Sequence, residues 1–214
     1  MRISTKIIAS LIGGAALSLP VMAAFQSDAA APTLPGVADQ ARVEAGTYAT
    51  DPAHTQVVWQ VNHFGFNGYT GIFGDVSGTM VLDPADIAAT TIAIEIPIGK
   101  VATNSAALTK HLMSDDFFDV ANHPTALFKS TAVTRDGGTN NAKIAGNLTI
   151  RGVTKPVVLD ATFIGAGANP FSKKKTVGFS ATTTVKRSDF GVKYGIPLVS
   201  DAVELEVSVA FEKQ

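Results

Sequence analysis

After Gly46 the chain alternates apolar and polar residues with a period of two. Val203, Leu205, Val207, Val209 and Phe211 interleave with Glu204, Glu206, Ser208, Ala210 and Glu212, the pattern of a strand with one dry and one wet face. The same parity runs through Ile92, Ile94, Ile96 and Ile98, and through Ile144, Leu148 and Ile150. It returns in Val157, Leu159, Ala161 and Phe163, and in Val177, Phe179, Ala181, Thr183 and Val185. Reversals are marked by Asp83-Pro84, Asp136-Gly137-Gly138, Arg151-Gly152 and the stretch from Gly165 to Pro170, so neighbouring strands are expected to pair antiparallel. Runs near 47–50, 55–63, 68–74, 76–83, 90–98, 125–135, 142–151, 154–164, 175–187 and 202–212 predict eight or more strands, some of them halves of one strand bent at Gly74 or Gly78. A closed barrel and a two-sheet sandwich both satisfy this all-β pattern. One helix is expected, over Asn104–Met113, with Asn104 as its cap and Leu108 and Leu112 sharing a face. A second short turn is expected through Asp115 to Val120.

The pattern breaks down before Gly46. Arg2 and Lys6 precede an apolar run from Ile7 to Val21 that ends in Met22, Ala23 and Ala24 and contains no acidic residue. This predicts a secretory signal peptide over residues 1–23, cleaved after Ala23, and therefore a periplasmic protein. Residues 24–45 carry seven alanines, Pro32 and Pro35, but few large apolar side chains, and are expected to be a flexible linker to a domain over residues 46–214.

Composition narrows the function classes. With 17 Lys plus Arg against 18 Asp plus Glu the net charge is −1, so no basic field is available for nucleic acid. Cysteine is absent, which removes disulfides, thiolate metal sites and cysteine nucleophiles. His54, His63, His111 and His123 lie too far apart in sequence for a local metal motif, and no Gly-x-Ser-x-Gly or phosphate loop occurs. No metal, cofactor or catalytic group is expected, although a metal-assisted hydrolase remains a minor alternative.

Aromatic residues carry the remaining signal. Trp59, Phe64, Phe66, Tyr69 and Phe73 fall within fifteen residues among several glycines. They fit either an ordinary core corner or the wall of a lipid-lined cavity. Gly146, Ala161, Ala181 and Thr183 take the inward parity, as does Phe179, and their small side chains predict open space along a barrel axis.

Seven ordered segments then carry a resemblance. Tyr48–Val57, Asn62-His-Phe-Gly-Phe66, Gly71–Gly78, Ser114-Asp-Asp-Phe-Phe-Asp-Val120, Pro124–Ser130, Gly146–Val157 and Lys186-Arg-Ser-Asp-Phe-Gly191 resemble the bacterial YceI-like family of periplasmic polyisoprenoid-binding proteins. The resemblance implies an eight-stranded antiparallel lipocalin-like barrel that binds a long isoprenoid or other amphiphilic lipid, as a homodimer in some members. It also raises a membrane cytochrome as a partner and quinones as a ligand class. By position it places Phe64, Phe66, Phe117, Phe118 and Phe190 at the pocket and its mouth, and Phe128 of the Pro124–Ser130 segment joins them. Tyr69–Ile72 and Ala106–Lys110 lack charges usual in the family, and Arg151 stands where His is common. This favours a neutral head group over a phosphate. The competing expectation is a ligand-free structural or protein-interaction barrel.

Overall fold

The structure, a computed structural model, describes residues 33–214. The expected signal peptide and the first part of the linker lie outside these residues. Eleven strands are present: β1 (Gly46–Thr50), β2 (Gln56–His63), β3 (Asn67–Phe73), β4 (Ser77–Leu82), β5 (Thr91–Pro97), β6 (Val101–Ala102), β7 (Thr125–Arg135), β8 (Asn141–Ile150), β9 (Val153–Ala168), β10 (Lys175–Lys186) and β11 (Ala202–Lys213). Three pairs are halves of bent strands. The Pro52–His54 turn separates β1 from β2, Asp75 at φ 53° sits between β3 and β4, and the Ile98–Lys100 turn separates β5 from β6. Counted this way the sheet has eight strands, each antiparallel to the next.

Closure decides between barrel and sandwich. β1 pairs with β4 on one side and with β11 on the other, through Tyr48↔Lys213 to Thr50↔Phe211, while β2 continues along β11 through Glu204↔Gln60 to Ser208↔Gln56. The ring therefore has no open edge between its first and last strands. Between β8 and β9 the chain reverses in two residues, Arg151 at φ 51° and Gly152 at φ 74°, the positive-φ pair that suits a twisted hairpin.

The helix α1 (Ala106–Leu112) is shorter than its pattern predicts and is capped by Ser105, not Asn104. The Ser105 hydroxyl accepts from the Leu108 N–H at 3.3 Å, whereas the Asn104 side-chain oxygen accepts from the Tyr69 hydroxyl at 2.5 Å. Asn104 is thus spent tying the helix approach to β3. The turns from Asp115 follow, and the whole 103–124 segment lies at one end of the barrel.

The segment read as a flexible linker is tied down in its described part. Val37 exchanges two backbone hydrogen bonds with Ala166 of β9, at 3.2 and 2.9 Å. A Gln40–Arg42 turn, capped by Asp39, leads toward β1. The Gln40 amide donates to the Thr139 carbonyl at 3.0 Å and to Asn140 Oδ1 at 2.7 Å, and its oxygen accepts from Arg135. The alanine-rich composition concealed these few polar anchors.

Candidate functional site

The inward parity of the strands builds the site. Side chains from β2–β5 and β7–β11 that point inward leave two chambers on the barrel axis, of ≈ 270 Å³ and ≈ 520 Å³. Val57, Ile96, Leu148 and Leu205 line both, so the two spaces share a waist of four aliphatic side chains. Such walls accept methylene and methyl groups and give water almost nothing to bind.

The smaller chamber lies toward the β1 and β4–β5 end. Phe128, Phe179 and Ala181 line it, as do Ala161 and Thr183. Gly146 does not open space as its parity suggested, because the Phe128 ring occupies the position where a Cβ would stand, 2.5 Å from it. The outer end is polar, formed by Gln40, Arg135, Thr139, Asn140 and Asn141, and the segment through Val37–Val43 crosses there.

The larger chamber lies toward the opposite end. Trp59, Phe64, Phe73, Phe117, Phe118 and Phe190 line it. Trp59 packs its indole over Gly71, the residue opposite it on β3, where any side chain would collide with the ring. Phe73 meets Phe118 edge to face at 5.6 Å. Phe66 departs from expectation: it is 87% exposed and lines neither chamber. The tight reversal at Phe64 and Gly65, both at positive φ, turns it outward at the tip of the β2–β3 hairpin.

The loop between β10 and β11 contributes residues that the sequence reading did not single out. Val192, Tyr194, Leu198 and Val199 line the larger chamber, and Arg187 fixes the loop that carries them. Its Nε donates to Ser200 O at 2.8 Å, Nη1 to Tyr194 O at 2.7 Å and Nη2 to Val199 O at 2.9 Å. Burial lowers the Arg187 pKa from its ordinary value, and neighbouring Asp201 opposes that shift. The available signal was an arginine at the end of an inward-facing strand, inside the Lys186–Gly191 segment. Tyr194 packs with His111 at 5.0 Å and Phe117 at 5.2 Å, and His111 Nε2 lies 2.8 Å from Asp116 Oδ2.

Polar chemistry in the bore is sparse. Among the described residues no carboxylate lines either chamber. The guanidinium of Arg187 is engaged with backbone carbonyls, and Arg135 with Gln40. Trp59 Nε1 and Thr90 Oγ1 are buried without a hydrogen-bond partner, one in the wall of each chamber. Among the described residues no three His, Cys, Asp or Glu side chains come together as metal ligands. Among the described residues the walls are overwhelmingly apolar, and the histidine and arginine side chains that reach them are His63, His111 and Arg187 in the larger chamber and Arg135 in the smaller.

The chain belongs to the YceI-like family: the family's domain profile matches residues 48–211. A UPF0312 protein of Pseudomonas putida is 39% identical over 161 residues, covering 75% of this chain and 82% of the relative. A UPF0312 protein of Vibrio cholerae is 37% identical over 160 residues, covering 75% and 82%. Among solved structures, BcnA of Burkholderia cenocepacia superposes with a TM-score of 0.68 at 25% identity, over 75% of this chain and 98% of that one. The Campylobacter jejuni YCEI protein gives 0.63 at 30% identity, over 71% and 89%. A polyisoprenoid binding domain from Saccharophagus degradans, implicated in plant cell wall breakdown, shares the fold at 14% identity with a TM-score of 0.60, over 80% and 100%.

Proposed function

We propose that this YceI-like protein carries or sequesters a long-chain isoprenoid or other amphiphilic lipid in the periplasm, with no chemistry of its own. The observation that carries this reading is the pair of apolar chambers meeting at an aliphatic waist, with no carboxylate among the described residues that line them. Burying about ten methylenes at ~0.8 kcal/mol each yields ~8 kcal/mol before ordering costs, which is near micromolar affinity from the tail alone. Head-group choice then rests on few contacts. The arginines that reach the walls are already engaged, Arg187 with backbone carbonyls and Arg135 with Gln40, which disfavours a phosphate, so a quinone, fatty amide or alcohol fits. The polyisoprenoid-binding role of the Saccharophagus degradans domain is consistent with the same tail chemistry.

The test is solvent extraction of the protein gently purified from its own periplasm, followed by mass spectrometry of the lipid fraction. A stoichiometric long-chain amphiphile is expected. A delipidated protein that binds no fluorescent fatty or isoprenoid probe would instead favour the ligand-free interaction barrel. The homodimer and membrane-cytochrome partnerships are read out by sedimentation and by co-purification from the same preparation. Recovery of Met1 on the exported protein would overturn the cleaved signal.

A further inference from the structure

We propose that the open end of the larger chamber docks on a bilayer surface, so that lipid passes between membrane and bore without crossing water. This rests on the lipid-carrying reading above for its purpose, but on separate residues for its evidence.

Two loops meet at that end. The Phe64 N–H donates to the Leu198 carbonyl at 2.8 Å, and His63 bridges to Val199. The pair presents Phe64, Phe66, Tyr194 and Leu198 to solvent, at 47%, 87%, 53% and 64% exposure. Isolated exposed apolar residues are common, but four on two joined loops form a patch. Phe64, Tyr194 and Leu198 also line the chamber behind them, so the exposed surface and the cavity wall are one continuous apolar surface. A water-soluble ligand has no use for such a rim.

The residue types of the two loops point to the same partner. From Val61 to Gly74 and from Phe190 to Ser200 there is no carboxylate, and Lys193 is the one Lys or Arg; the exposed carboxylates of this end, Asp115 and Asp116, stand on the neighbouring turns, where Asp116 pairs with His111. Aromatic and leucine side chains with a neighbouring lysine suit the headgroup boundary of a bilayer. The opposite end offers a contrast. Phe171 is 91% exposed there beside Lys173, Lys174 and Lys175, but it stands alone and outside the chamber lining, and Lys174 and Lys175 face Glu212 and Glu44.

Phe66 makes the proposal separable from the bore, because it is on the rim and lines neither chamber. The experiment measures association with vesicles of phosphatidylethanolamine containing a quarter phosphatidylglycerol, together with the rate at which a fluorescent long-chain probe moves from those vesicles to the delipidated protein. In the wild type the transfer rate should rise with vesicle concentration. Phe66→Ser should lower vesicle association and transfer roughly ten-fold, while probe affinity measured without vesicles stays unchanged. Lys193→Glu should weaken association by about five-fold, and added salt should erase that difference. Phe171→Ser should change nothing. Transfer independent of vesicle concentration would overturn the proposal, as would loss of docking in Phe171→Ser but not in Phe66→Ser. A stable dimer that buries the rim and ignores vesicles would assign the surface to a second copy and overturn it equally. If the protein docks but binds no probe, the lipid-carrying reading fails and the docking surface stands.

Discussion

The two ends of the barrel solve the same problem in opposite ways. Each must terminate an apolar bore in water. At the α1 end the walls run outward into exposed Phe64, Tyr194 and Leu198, held by a loop pinned internally through Arg187. At the other end the bore stops at a polar lattice of Gln40, Arg135, Thr139 and Asn140, laced by chain from outside the family domain. That segment, residues 37–43, precedes the matched span of 48–211. An apolar rim costs solubility and gains access; a polar lattice gives a seal whose individual bonds contribute only about 1 kcal/mol each. The apolar-rimmed end is here called the mouth and the polar-rimmed end the base.

The largest expected effect comes from unpinning the mouth. Arg187 is 8% exposed and holds four loop carbonyls. Arg187→Ala leaves those acceptors without their donor and empties the space of the side chain, which should cost ~3 kcal/mol or more. Gln40→Ala, the matching cut at the base, should cost under ~1 kcal/mol because Gln40 sits at a wet edge. Denaturant melts of both variants check the ordering. Equal losses would mean that the two ends are held with similar strength.

A smaller effect tests whether the base is a seal. Gly167 lies on β9 under the incoming chain, where any side chain would collide with the Pro35 carbonyl. Gly167→Val is acceptable to a strand yet must push residues 35–37 away. Breaking the two Val37–Ala166 hydrogen bonds and loosening Gln40 is worth about 1–2 kcal/mol, so release of a bore-bound probe should quicken by about ten-fold. Hydrogen exchange at residues 37–43 confirms displacement. Displacement with unchanged release would leave the mouth as the sole route.

This contrast also explains what the sequence could and could not reveal. The barrel was legible because burial of one strand face imposes period two, and the bend between β3 and β4 was announced by Gly74, whereas the break between β5 and β6 at Ile98–Lys100 was not. Closure was not legible from parity, since a sandwich has the same alternation; it depends on β11 reaching β1. Phe117, Phe118 and Phe190 fell in motif segments and do line the larger chamber. Phe66 sits in such a segment too, but one tight turn reversed its direction, and parity arguments fail across turns. Arg187 was hidden for another reason: a buried guanidinium that serves backbone carbonyls has no side-chain partner at a fixed spacing. The docking of residues 37–43 was equally silent, because it uses backbone bonds and a single amide.

The subtlest difference between the ends is electrostatic. Each has one carboxylate held below its ordinary pKa, by different means. Glu44, just before β1, accepts from Lys213 at 2.8 Å and lies 3.2 Å from Lys175, and these two lysines lower it. Asp201, near the mouth, is raised by burial, but the hydrogen bonds from the Ser188 hydroxyl and backbone N–H, at 2.7 and 2.9 Å, and the charge of Arg187 lower it further. A depressed folded-state pKa means that each group's contribution is present at neutral pH and is lost as the pH falls through the folded value. Both ends should therefore loosen in acid, below about pH 4. Salt should separate them. The Glu44 partners are exposed lysines that mobile ions screen, whereas Asp201 is held mainly by short hydrogen bonds that salt barely touches. At neutral pH, added salt should raise hydrogen exchange across residues 37–46 slightly and leave Ser188–Val192 unchanged, and Glu44→Gln should abolish that salt sensitivity. The same salt response at both ends would show that the base is not held by its surface charges, leaving the Val37 and Gln40 bonds to close it alone.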